Sequence, residues 1–200
     1  GRQIATKNII LAASSHSGEE EIIINAYIKL ISRLKENLPT LVIVPRHPER
    51  SNSIKELVKS MGLSVQLKSK IVDHELKYQV FIVDSLGSLQ YWYAQAKVAI
   101  ISGSLLPYGG HNPIEAIVHG DSSLICGHHY FNFAEIYDNL IKFNCINRIR
   151  ANKDLVNSLQ AALTQSQGQK SANNARALSY INDQRGASNR VMEYLKPYLQ

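Results

Sequence analysis

Val98-Ala99-Ile100-Ile101-Ser102 is a run of small and branched apolar residues. It passes at once into Gly103-Ser104-Leu105-Leu106-Pro107-Tyr108-Gly109-Gly110-His111-Asn112 and then into Pro113-Ile114-Glu115-Ala116-Ile117-Val118-His119. A strand covered on both faces reads as an unbroken apolar run, because neither side of it meets water. Proline in a first helical turn, with asparagine just before it, marks the start of a helix. The stretch therefore predicts strand, glycine-bearing loop and helix in that order, which is half of a βα repeat in a parallel sheet.

The same alternation extends outward in both directions. Upstream, Asn8–Ala13, Leu41–Val44, Leu63–Leu67 and Tyr78–Val83 read as strands. The first is followed by Ser14-Ser15-His16-Ser17-Gly18 and a helix opened by Glu19-Glu20-Glu21, with Ile22, Ala26, Ile28, Leu30, Ile31 and Leu34 turned to a core. Acidic residues suit a helix start, where unpaired N–H groups leave partial positive charge. Further helices are expected over Ser53–Met61 and around Leu89, Trp92, Tyr93 and Ala96. Downstream, Ser123–Cys126 is a strand and Phe131–Lys142 a helix. From Lys153 the chain is polar and helical, with Gln165–Asn174 expected as a soft connection and Arg190–Leu199 as a last helix. The fold class predicted is α/β, a Rossmann-like parallel sheet with helices on both faces.

Composition agrees with one folded unit or a compact pair. The 200 residues are 44% hydrophobic and 19% charged, which excludes disorder and fibre. No apolar run approaches the roughly 20 residues of a membrane-spanning helix. The chain opens Gly1-Arg2-Gln3-Ile4-Ala5, with neither an initiator methionine nor the apolar core of a secretory signal, so a piece of a longer protein is expected. Cys126 and Cys145 lack metal-type spacing and read as buried free thiols of a reducing compartment. The formal charge of +6 favours anionic partners. Its basic residues are scattered, with no aromatic interleaving, which argues against nucleic acid.

In open parallel sheets ligands gather beyond the carboxyl ends of the strands. Four loops fall on that rim: Ser14–Gly18, Arg46-His47, Asp84–Gly87 and Gly103–Asn112. Glycines let a backbone approach a ligand closely. Glu115 has two readings. It completes a capping box with Asn112, or its two oxygens accept from the two hydroxyls of a ribose while the helix N-terminus beside it holds a phosphate. Arg46 and His47, stiffened between Pro45 and Pro48, aim a guanidinium at the same rim. The serine-rich first loop resembles an anion nest, but three glutamates behind it give it an edge-of-site role. His111, His119 and His128-His129 show no metal-ligand spacing, no DxD clamp is present, and no GxSxG elbow supports a hydrolase.

Three ordered motifs carry a resemblance: Val44-Pro45-Arg46-His47-Pro48-Glu49-Arg50, Gly103-Ser104 through Gly109-Gly110-His111-Asn112-Pro113-Ile114-Glu115, and Phe131-Asn132-Phe133-Ala134-Glu135. Over about residues 8 to 199 the chain resembles the C-terminal half of the Kdo transferases, GT-B glycosyltransferases of the lipopolysaccharide inner core. The resemblance implies that residues 1–200 form a single Rossmann-like domain binding CMP-Kdo. Helices from about residue 171 to 200 would pack toward an N-terminal domain that binds the lipid A precursor. It also implies an inverting, metal-independent enzyme without cofactor, working at the cytoplasmic face of the bacterial inner membrane. The catalytic base and the membrane anchor would lie in the other half, so this piece alone would bind without turnover.

The donor-binding positions it implies are Ser14, Ser15, Arg46, His47, Gly87, Gly109, Gly110, His111, Asn112 and Glu115, with Asn132 as an addition. Ser15 and Ser17 stand where that family commonly has threonine and glutamate, Tyr108 where it has arginine, and Ser88 where a glutamate follows the glycine. With no arginine beside the glycine pair, Arg46 is expected to carry more of the anion binding. Two other readings are a GT-B domain for a UDP-sugar and a noncatalytic basic module that binds nucleotide or anionic lipid.

Overall fold

The computed structural model describes residues 8–70 and 78–184. Seven strands form one sheet: β1 (Ile9–Ser15), β2 (Thr40–Pro45), β3 (Val65–Leu67), β4 (Val80–Ile82), β5 (Val98–Ile101), β6 (Ser123–Cys126) and β7 (Ile146–Arg148). Their order across it is β3-β4-β2-β1-β5-β6-β7, and every pairing is parallel. Seven α-helices connect and cover them: α1 (Glu19–Arg33), α2 (Ser51–Ser60), α3 (Leu89–Gln95), α4 (Ile114–His119), α5 (Ala134–Lys142), α6 (Leu155–Thr164) and α7 (Gln167–Gln184). After β1 the chain winds toward the β3 edge, and from β5 onward toward β7. The strand order thus reverses between β1 and β5, the place where such sheets open a crevice.

The period-2 alternation of side chains divides the core in two. Ile10, Ala12, Leu41, Ile43, Ile82, Val98 and Ile100 face α1, α2 and α6, whose Ile24, Tyr27, Leu30, Val58 and Leu159 cover them. Ile9, Leu11, Ala13, Val42, Phe81, Ala99 and Ile101 face the opposite layer, meeting Trp92, Ala116, Tyr137, Leu140 and Ile181. Both faces are dry, which is why the strands read as continuous apolar runs.

Three expectations change. β7 was not anticipated, because only Ile146 of its three residues is buried. The helix expected from Phe131 begins as a 3-10 turn over Phe131–Phe133, and α5 starts at Ala134. The soft connection Gln165–Asn174 is instead mostly helix: α7 begins at Gln167 and places Ala177 and Ile181 in the second core. The helix expected over Arg190–Leu199 lies outside the described residues. Among the described residues, no helix is long and apolar enough to cross a membrane.

Candidate functional site

The turn from β1 into α1 is built around one inserted residue. Ala13 pairs with Val44 and Ser15 with Pro45, so Ser14 is the extra residue of a bulge, with φ at 56°. A bulge bends its strand and re-aims the side chains beside it, and here Ser14 turns to the rim. Ser15 does not reach it. Its side chain is fully buried and its hydroxyl donates to Glu20 Oε1 at 2.9 Å.

The glutamates at the head of α1 are not a solvated acidic face either. Glu19 is fully buried: its Oε2 accepts from the Gly103 N–H at 2.8 Å and the His16 N–H at 3.0 Å, and its Oε1 from the Leu105 N–H at 3.0 Å. Burial pushes the Glu19 carboxyl above its ordinary range, against the three backbone donors that favour its charge. Glu20 accepts a two-pronged contact from Arg50, at 2.9 and 3.1 Å. Two of the three carboxylates are therefore occupied by the fold. Glu19 joins the loop after β1 to the loop after β5, and sequence spacing gave no sign of it across 84 residues.

In the β5–α4 loop Gly103, Gly109 and Gly110 all have positive φ, at 74°, 94° and 77°. A Cβ on Gly110 would meet the Tyr130 backbone at 3.0 Å, so this glycine is required by space as well as by conformation. Asn132 braces the loop: its N–H donates to the Gly109 carbonyl at 3.0 Å and its Nδ2 to the Tyr108 carbonyl at 3.3 Å. Asn112 Oδ1 accepts from the Ile114 N–H at 3.0 Å. The capping box does not form, since Glu115 makes no bond back to Asn112 and its carboxylate has no partner among the described residues. α4 is six residues long and its first free N–H is taken by Asn112, so this helix end contributes less to holding a phosphate than the sequence suggested.

Ser14, Arg46, Gly87 and Glu115 come together. They line a cleft of about 240 Å³ at the carboxyl ends of the strands, closed on its far side by Ser85–Gln90. Arg46 is anchored through its backbone, which donates to the Ser15 carbonyl at 2.9 Å, and its guanidinium pairs with no described residue. Gly87, with φ at 79° and open space around it, shapes the turn of the far wall. His47 lies outside this lining, 55% exposed and 3.5 Å from Glu49. Gly109, Gly110, His111, Asn112 and Asn132 form the adjoining wall rather than the cleft itself.

That wall carries ring contacts the sequence did not disclose. His16 stacks on Tyr108 with centroids 4.3 Å apart, and the His111 ring lies parallel to it with centroids 5.0 Å apart. The Tyr108 hydroxyl donates to the Ser17 carbonyl at 2.9 Å. Tyr137 donates to the His111 carbonyl at 2.7 Å, tying the loop to α5. A larger cavity of about 380 Å³ lies at the β6–β7 edge beside Lys170 and holds none of the rim residues. No group of three or more His, Cys, Asp or Glu side chains suited to a metal ion occurs among the described residues.

No family model matches the chain. The 3-deoxy-D-manno-octulosonic acid transferase of Haemophilus influenzae is 34% identical over 193 residues, covering 96% of this chain and 44% of that protein. The crystal structure of the C-terminal CMP-Kdo binding domain of WaaA from Acinetobacter baumannii superposes with a TM-score of 0.78 at 29% identity, covering 87% of this chain and 90% of that one. The spinosyn rhamnosyltransferase SpnG, at 11% identity and a TM-score of 0.58 over 96% of this chain and 46% of its own, shares the fold alone. The chain spans less than half the length of the curated relatives it matches.

Proposed function

The chain belongs to the Kdo transferases, as a homologue of their C-terminal CMP-Kdo binding domain in a GT-B-like fold, and we propose that its cleft binds CMP-Kdo. The observation that carries this reading is a pair of opposite charges left unspent. Arg46 and Glu115 line one cleft at the strand-order reversal, and neither is bonded to another described side chain. A carboxylate free of partners accepts from two vicinal hydroxyls at once, which fits a ribose. A guanidinium in the same cleft offers paired N–H donors to a phosphate or a sugar carboxylate.

In the full-length protein these residues serve transfer of Kdo from CMP-Kdo to the lipid A precursor at the cytoplasmic face of the inner membrane. The bond between the anomeric carbon and the phosphate oxygen breaks, and an acceptor hydroxyl forms the new bond from the opposite face of the sugar, inverting it. The departing CMP carries a single phosphate, whose growing charge Arg46 stabilises without a metal. The base that deprotonates the acceptor comes from the N-terminal half, so this domain alone holds donor without consuming it.

Calorimetric titration with CMP, UMP and UDP tests the reading. CMP is expected to bind tightest. A preference for UDP replaces the reading with a UDP-sugar domain. Equal, steeply salt-dependent binding of all three that survives Arg46→Ala and Glu115→Ala makes the chain a noncatalytic basic module.

A further inference from the structure

The Nε2 atoms of His16 and His111 lie 3.0 Å apart. Two imidazole nitrogens at that distance share one proton: two N–H groups would collide, and two lone pairs would repel. The nearby Ser14 backbone favours a proton on the His111 ring. With Nε2 of His111 turned to His16, its own proton is assigned to Nδ1, so His16 donates from Nε2 and keeps Nδ1 free. The His16 Nδ1 is then the one basic nitrogen of the pair open to a further proton.

The rings have little freedom to leave this arrangement. Tyr108 is stacked on His16 at an interplanar angle of 13°, and the His111 ring runs nearly parallel to His16 at 7°, edge to edge through the two Nε2 atoms. His111 itself packs on Gly103, where a Cβ would stand 3.1 Å from its Cδ2. The charged and titratable groups facing the pair are Glu20 from α1, Arg46 and His47 after β2, Arg50 from the following 3-10 turn, and Tyr108 from the β5–α4 loop. Arg50 and Glu20 are bonded to each other, which leaves the surplus cationic. Burial and these cations hold both imidazoles below their ordinary range, with His111 down to about 4, so the empty pair is neutral at pH 7. An anion seated beside Arg46 reverses the sign of the local field.

We propose that His16 is a binding residue for the anionic part of the nucleotide-sugar and takes up one proton from solvent as that ligand binds, with His111 anchoring its Nε2–H and Tyr108 walling its ring. The proton adds to Nδ1, no other bond changes, and the site gains a positive charge only when an anion is present to face it. This rests on the donor-site reading above.

Calorimetry of CMP binding above pH 7, where a phosphate monoester with a second ionisation near ~6 is already dianionic, is run in two buffers of different ionisation enthalpy. The expected result is net uptake approaching one proton per CMP, with affinity falling by up to about tenfold per pH unit. Uptake disappears in His16→Gln and persists in His47→Gln. In the unmodified protein, ¹⁵N NMR of the imidazoles shows His16 Nδ1 becoming protonated on addition of CMP, which keeps the test independent of how the variants fold. CMP binding without proton uptake, uptake unchanged in His16→Gln, or uptake lost in His47→Gln overturns this proposal alone. Failure of CMP to bind at all overturns the donor site and this proposal with it.

Discussion

Glu115→Gln separates binding from stability more sharply than any other single change at the rim. The carboxylate bonds to no described residue, and the substitution keeps size and shape, so its effect on folding falls within the ~0.5 kcal/mol of an ordinary surface change. For a domain of this size about 1 kcal/mol shifts the melting temperature by ~2–4 °C, so a shift of ~2 °C or less is expected. Bound to a ribose, the same side chain accepts two hydrogen bonds to its charge. Glutamine keeps one acceptor oxygen and presents an NH₂ to the other hydroxyl, removing one interaction of ~1.5–3 kcal/mol. CMP affinity should therefore drop about 10- to 150-fold. Titration calorimetry and thermal unfolding of the same preparation give both numbers. A Kd within twofold of the unmodified protein, or a melting loss of ~6 °C with binding intact, would refute the assignment and return Glu115 to a structural role.

Other perturbations test the frame that holds the site. Glu19→Ala strands three buried N–H groups and should cost about 3–5 kcal/mol in denaturant unfolding, a result within ~1 kcal/mol of wild type contradicting the clamp. Gly127→Ala would place a Cβ 1.9 Å from the Ser104 carbonyl oxygen, so a loss of ~3 kcal/mol or more is expected. Gly87→Ala meets open space and should pay only the left-handed backbone term of ~1–2 kcal/mol. Gly168, near the start of α7 and also in open space, should accept alanine with a gain of ~0.5–1 kcal/mol. His111 stays neutral in the folded chain down to about pH 4 but takes a proton near 6.5 when unfolded. The unfolded state thus binds more protons in that window, stability falls as pH drops through it, and unfolding curves of His111→Gln should show a shallower acid limb.

How much of this was legible beforehand depended on whether a residue's partner lay near it in the chain. β5 and its loop were readable because Val98–Ile101 is apolar at every position and Pro113 punctuates the helix start. β7 was not, since one buried isoleucine in three residues makes no pattern. The first part of α7, up to Asn174, reads as a connection because its Gln, Ser and Asn content shows no apolar period, whereas the helical reading of the later residues holds and places Ala177 and Ile181, four residues apart on one face, in the core. At the rim, Arg46, Gly87 and Glu115 were found because loops after parallel strands converge in any such sheet. Glu19 and Glu20 were read as helix-start acids on local grounds. Their fate was decided by amides and a guanidinium from distant segments, and no spacing rule carries that information.

The Glu19 clamp also bears on how such a domain could change its taste in ligands. Two lips of the crevice, one from each half of the sheet, share a single acidic rivet, so an insertion in either would have to be answered in the other. The opposite lip is tied to the chain after β3 only at its root, where Asp84 accepts from the Ser69 N–H at 3.0 Å and Ser85 from Lys68 at 3.1 Å, and beyond it Leu86 is 80% exposed. Novel preferences for the sugar would be accommodated most readily there, by trading residues over Leu86–Gln90 while the riveted side is inherited whole.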